Sequence, residues 1–379
     1  MNALSLPDHG RDPASGSDGA PASAPASSAT NAHQGRGVHG AWRPASVAAI
    51  AAGAALLVAA AALLWRQQTL PAPYHYVLGE TVSAAELEAL AALGEGRLTV
   101  RRARVMADDQ ATPLAELQIL EGRRADGTPL APALLQWQAR VDDPFLTITA
   151  PAEDVAALAP VLARHAQGAT LLGWWDHSRL LQRLAGVDVA FTQHLGVPLF
   201  VPADWRGAKG GIEAAERAFW ASGPAVDAAV LAREQQDFAR FAQALLAPEH
   251  EGMAALQALA GGRKAVLVLH LRDLVLLGQM APDKLGVAFK DLGAQGDVHG
   301  MVRRVHGWLD EHKYPAYGVL QARERPLRAI ALTDEASGRT LAARLLPLMG
   351  NEQRDVAGAM LVYRVGGFSV FELAAARSP

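Results

Sequence analysis

The chain has 379 residues, half of them hydrophobic and only 6% aromatic, with a formal net charge of −3 and no cysteine. That hydrophobic share supports a sizeable core, while the near-neutral charge leaves no basic footprint, so no nucleic-acid partner is expected. Without thiols the chain forms no disulfide, thiolate zinc or iron–sulfur site and no cysteine-linked haem; no cofactor is assigned to it, and any electron-transfer centre is expected on a partner.

Residues 1–43 are mostly Ser, Ala, Gly, Pro, Asp and His. They cannot bury enough apolar surface to offset chain entropy, so a disordered tail is expected. From Ala45 to Trp65 the run "ASVAAIAAGAALLVAAAALLW" carries no charge. About 20 apolar residues span a hydrocarbon core, and Trp42 and Trp65 stand at the ends, where indoles favour the headgroup region. A transmembrane signal-anchor helix is therefore expected over 44–66. A soluble helix would present a polar face, and a cleaved signal peptide would have a shorter apolar run. Arg36 and Arg43 precede the span and Arg66 follows it, which favours a cytoplasmic N-terminus. The expectation is a single-pass inner (cytoplasmic) membrane protein, held in the lipid bilayer through residues 45–65, with residues 74–379 in the periplasm.

The exported part begins with a first strand near Tyr74 to Leu78. A helix capped by Ser83 and Glu86 and stopped at Gly94 follows. "RLTVRRARVMA" and "LAELQILEGR" are extended, the second closed by the turn Ala125-Asp126-Gly127. "FLTITA" is strand-like, "PAEDVAALAPVLARHA" helical, "ATLLGWW" a strand, "HSRLLQRLA" a helix ending at Gly186, and "PLFVP" extended. Residues 211–260 are helix-rich, with breaks at Gly223-Pro224 and near Pro248, and "KAVLVLHLRDLVLL" opens as a buried strand. "YGVLQARE", "PLRAIALT", "AMLVYRV" and "FSVFELA" read as strands, with a helix through "GRTLAARLLPL". This alternation predicts an α/β fold, with mixed sheets and flanking helices, over 74–379. It forms one domain or two packed lobes, about 74–210 and 211–379.

Ligands of such sheets collect where strands deliver their carboxyl ends to helices. One junction reads "GWWDHSRLLQRL", and Gln193-His194 follows it. Two indoles offer an apolar platform with N–H donors, Asp176 an acceptor, and His177 a group that titrates near neutrality. Trp174, Trp175, Asp176, His177, Arg179, Gln193 and His194 are thus the candidate ligand- or partner-binding residues, and none is assigned a catalytic or metal role. Structural uses compete with that reading. Asp176 stands where a helix N-cap belongs, and neighbouring strand residues face opposite ways, so one tryptophan is expected in the core.

His165, His177 and His194 lack the short spacing of a metal site. In "DVHGMVRRVHGWLDEHK", helical spacing buries Val298, Met301, Val302, Val305, Trp308 and Leu309. His299, Arg303, His306 and Asp310 then form a solvated face, or alternatively a docking surface for an acidic partner. No phosphate loop, nucleophile elbow or His-Glu-x-x-His motif occurs.

Trp174-Trp175-Asp176 resembles the Trp-Trp-Asp motif of oligosaccharyltransferase catalytic subunits, which helps recognise the hydroxyl residue of the acceptor sequon. The Tyr-Gly that follows in that family is His177-Ser178 here, and this chain has one expected span where that family has many. The chain's size, its single N-terminal anchor and the segments "GWWDHSRLLQRLAG" and "FTQHLGVPLFVP" resemble the HaoB family, membrane proteins encoded beside hydroxylamine oxidoreductase. That resemblance implies an accessory protein that binds or organises a periplasmic multihaem partner such as hydroxylamine oxidoreductase. The alternative is an enzyme of glycosyl-transfer or hydrolase type, with Asp176 and His177 as an acid–base pair.

Overall fold

The computed structural model describes residues 44–83, 98–108, 110–123, 127–140, 145–196, 198–221, 226–292, 298–320 and 327–374. The expected tail, the helix expected to end at Gly94, the break at Gly223-Pro224 and the Ala125-Asp126 part of the turn lie outside these residues. The chain divides into two compact units, Met1–Val58 and Ala59–Pro379.

Helix α1 runs Pro44–Thr69 with no acidic residue in its first turn. Its side chains are exposed throughout residues 51–63. No helix among the described residues is long and apolar enough to cross a membrane.

Four strands, β1 (Tyr74–Ser83), β2 (Leu98–Ala107), β3 (Ala115–Gly122) and β4 (Ala133–Ala139), form an antiparallel meander in that order. Period-2 patterning explains its two faces. Ala115, Leu117 and Ile119 of β3 enter one core with Tyr74, Val105 and Trp137. Leu120 enters another with Val100 and Leu135.

The chain continues through α2 (Ala152–His165), β5 (Thr170–Gly173), α3 (Trp175–Ala185), β6 (Asp188–Val189), α4 (Lys209–Trp220), α5 (Ala228–Leu246), α6 (Glu249–Ala260), β7 (Ala265–His270) and α7 (Arg272–Met280). Then come β8 (Val287–Asp291), α8 (Val298–His312), β9 (Ala316–Leu320), β10 (Arg328–Leu332), α9 (Leu341–Leu345), β11 (Ala359–Val365) and β12 (Phe368–Leu373). A small antiparallel sheet has the order β8-β10-β9, and the central sheet the order β11-β12-β7-β5-β6.

In the central sheet β5 pairs parallel with both β6 and β7, while β12 is antiparallel to β7 and β11. It is therefore a mixed sheet, as the alternation predicts, and strands from both sides of residue 210 pair in it. Helices and the meander cover both faces. Ala265, Leu267 and Leu269 pack with Phe238, Phe241 and Leu245, and Val266 and Val268 with Leu158, Leu162 and Leu180. Burial on both faces is why β7 is apolar throughout instead of alternating.

Three local expectations fail. "FLTITA" makes only isolated bridges, Phe145 with Thr147 and Leu146 with Phe200, because Leu146 turns left-handed at φ 61° and breaks the extended run. "ATLLGWW" stops being a strand at Gly173, and Trp175 is already helical. On α8, Val305, Trp308 and Leu309 are buried and His299, Arg303, His306 and Asp310 exposed, but Val302 is 48% exposed. Val302 sits at the edge of the apolar stripe.

Candidate functional site

The site grows from the passage between β5 and α3. A Cβ at Gly173 would lie 3.1 Å from the Val268 carbonyl oxygen, so glycine lets the chain turn hard against β7. Trp174 is extended (φ −62°, ψ 138°) and is the N-cap of α3, without a side-chain cap hydrogen bond. A change of backbone conformation, not strand alternation, sends the two indoles apart. Trp174 joins the core, edge-on to Phe238 at 5.1 Å between ring centres. Trp175 keeps a buried Nε1–H with no partner.

Asp176 stands two residues past the cap. Its Oδ1 accepts the His177 backbone N–H at 2.7 Å, so the carboxylate does serve the helix start, though not from the cap position. The same oxygen accepts Nη2 of Arg272, the fully buried first residue of α7, which also donates Nη1 to the Ile148 carbonyl. Asp176 and Arg272 thus pair just beyond the carboxyl ends of adjacent parallel strands. The His177 ring turns away, to 4.9 Å from Phe368 and 5.7 Å from His270. Burial, with the nearby Arg272 charge, pushes its pKa well below the ordinary value.

Arg179 is 3% exposed and ties three segments together. Nε donates to the Thr192 carbonyl at 2.8 Å, and Nη1 to the carbonyls of Pro132 at 2.8 Å and Trp220 at 3.0 Å. Its guanidinium lies 5.7 Å from the Trp175 ring centre, and Nη2 has no partner. Burial lowers its pKa to about 10, with Glu234 and Asp176 opposing. His194 meets Trp175 edge-on at 4.3 Å and lies parallel to Trp220 at 6.5 Å. Burial and then the Arg179 charge push it down to about 3, so the ring is neutral; its Nδ1 is unpartnered. The Gln193 amide donates to Thr192 Oγ1, and its backbone N–H to Glu234. Gln193 holds the loop without lining the site.

Trp174, Trp175, Asp176, Arg179 and His194 line one cavity, together with Trp137, Glu216, Trp220 and a mostly apolar remainder that includes Leu134, Leu146 and Leu199. The space open to the centre of a water-sized sphere is about 40 Å³, enough for about three water-sized positions. His177 and Gln193 are not part of the lining. Glu216 is 3% exposed and accepts from Tyr74 Oη at 2.5 Å, Tyr76 Oη at 2.6 Å and Trp220 Nε1 at 2.9 Å. Burial raises its pKa against the pull of those three donors. Among the described residues, no group of three or more His, Asp or Glu is arranged to hold a metal ion.

A family model described as HaoA-associated protein HaoB matches residues 41–373. The chain belongs to the HaoB family. No curated protein and no solved structure matches it. The family is associated with HaoA and thereby with hydroxylamine oxidation. In this HaoB-family chain the Trp-Trp-Asp triplet has its own geometry: Trp174 is core and Asp176 is held by Arg272. Trp137, Glu216, Trp220 and Arg272 escaped the sequence reading. The Glu216/Trp220 pair had a signal, a carboxylate and an indole at i and i+4 on one helix face; Trp137 and Arg272 had none.

Proposed function

We propose that this HaoB-family chain is a single-pass, membrane-anchored accessory of hydroxylamine oxidation, with residues 74–379 on the periplasmic side and HaoA, a multihaem hydroxylamine oxidoreductase, as its partner. The observation that carries this is the HaoA-associated family match across residues 41–373. The uncharged run Ala45–Trp65 inside α1 supports the anchor, and the absence of cysteine leaves cysteine-linked haem to the partner. The geometry favours binding over acid–base chemistry at Asp176 and His177. Asp176 is neutralised by a buried guanidinium, while His177 points into the packing around Phe368 and does not reach the cavity.

Co-purification from detergent-solubilised native membranes tests this. The expected result is that the chain sediments with the membrane fraction and carries a Soret-absorbing partner through gentle solubilisation. Recovery of the chain alone across several mild detergents would overturn the accessory reading.

A further inference from the structure

We propose that the cavity between Trp137, Trp175, Arg179 and His194 is a binding site for a small monovalent oxyanion of about three heavy atoms. Four buried polar atoms of its lining residues have no partner among the described residues: Nε1 of Trp137, Nε1 of Trp175, Nη2 of Arg179 and Nδ1 of His194. Indole and guanidinium N–H groups can only donate. A buried donor left without an acceptor keeps its full desolvation cost, so three obligate donors on residues lining one cavity favour an occupant that accepts from them. They come from β4 and α3, while His194 lies on the loop after β6, so the convergence is tertiary and not the by-product of one helix end.

The occupant must therefore accept at several points. A cation or a donor-rich molecule would leave the set unsatisfied. Size limits it further, because about 40 Å³ of water-centre space admits about three heavy atoms. Charge points the same way. The Asp176 carboxylate is matched by Arg272, and Glu216, whose oxygens accept only from the neutral donors of Tyr74, Tyr76 and Trp220, is pushed by burial toward its neutral form. Arg179 spends its bonds on three neutral carbonyls, and its positive charge, with Glu234 and Asp176 as the nearby carboxylates, stands at the wall. The neutral His194 ring adds either a fourth donor, in its Nδ1–H tautomer, or a proton taken up with the anion.

The full chain in detergent, labelled with ¹⁵N at its eight indoles, provides the test. Sodium formate and sodium nitrite, both planar anions of three heavy atoms, are titrated against it, with hydroxylamine as the neutral comparison. The expected result is a saturable shift of two indole N–H signals, assigned to Trp137 and Trp175 by Trp137→Phe and Trp175→Phe. Formate and nitrite should compete, and each variant should weaken binding by about tenfold, the worth of one hydrogen bond to a charged acceptor. Either variant alone suffices for assignment should the other fail to fold. Uniform drift of all eight signals, no saturation, or a response to hydroxylamine but not to the oxyanions would overturn the site. The result is independent of the HaoA association: a chain that purifies alone yet binds formate keeps this site and loses the accessory role.

Discussion

Two buried polar groups flank the first turn of α3, and they are built on opposite plans. On one side Trp137, Trp175, Arg179 and His194 surround open space. On the other, His177, His270, Arg272 and Asp273 fill theirs. The His270 ring lies 4.6 Å from Phe368, and a Cβ at Gly367 would come within 2.4 Å of His270 Nε2. The bonds of the filled group run to the backbone at the strand end: Asp273 accepts the His270 N–H at 2.8 Å, and His270 Nδ1 accepts the Arg272 N–H at 3.1 Å. Residue types do not separate the two groups, since both contain a buried arginine and histidine. The room left beside them does, and Asp176–Arg272 is the boundary between the packed side and the open one.

Breaking that boundary should have the largest effect. Arg272→Ala leaves Asp176 as a buried carboxylate without its cation and frees the Ile148 carbonyl, so a loss of about 3–5 kcal/mol is expected in denaturant unfolding. Removing both charges, Asp176→Asn with Arg272→Met, should recover part of it, because Asp176 is then no longer a stranded charge, while Asp273, 3.5 Å from Arg272 Nε, still loses its cation. A single-variant loss below ~1 kcal/mol would mean that the pair does not hold the two strand ends together.

A smaller effect should separate the indoles around the cavity. Trp220 donates to Glu216, whereas Trp137 donates to nothing in the fold. Trp220→Phe and Trp137→Phe remove similar volume, but only the first takes a donor from a buried carboxylate. Trp220→Phe should therefore be the more destabilising by roughly 1.5–3 kcal/mol. Equal losses would place Trp137 in the structural class with Trp220 and weaken the case for a ligand at its N–H.

The elements around this site were legible wherever local chemistry agreed with tertiary packing. α2, β5 and α3 follow from continuous or helical apolar spacing and from Gly186, which ends α3 at φ 66° with its N–H on the Gln182 carbonyl. β4 was missed although Ala133, Leu135 and Trp137 alternate with half-buried or exposed partners, because apolar Leu134 on the opposite face hides the period-2 pattern. The start of α3 was misplaced for an instructive reason. Asp176 has the chemistry of an N-cap, yet Arg272, 96 residues away, claims its carboxylate, and the helix begins earlier, at Trp175. Helical geometry then explains why a contiguous motif divides: each residue turns the side chain by ~100°, so Asp176 faces the cavity and His177 the packed group. The rest of the wall comes from β4, α4, α7 and the loops before α2 and α4, contacts that no local pattern encodes.

The packed side should also reveal itself through acid. His177 and His270 are both held well below the ordinary histidine value, chiefly by burial, and His194 is pushed down to about 3. A histidine neutral in the folded chain and titrating near 6.5 when unfolded contributes stability that is complete above pH 6.5 and is lost as pH falls below it. Asp273 works in the opposite sense. Burial raises it to about 7, so its contribution is complete below the unfolded value near 4 and is lost as pH rises through 7. Between pH 4 and 6.5 three histidines oppose two carboxyls, Asp273 and Glu216, and the fold should weaken on acidification. His177→Phe removes one of those protons while keeping a ring against Phe368. It should flatten the slope of unfolding free energy by about 1.4 kcal/mol per pH unit, with little change in slope above pH 7. An unchanged slope would mean that His177 is protonated inside the fold, and the packed group would then have to contain an acceptor for it.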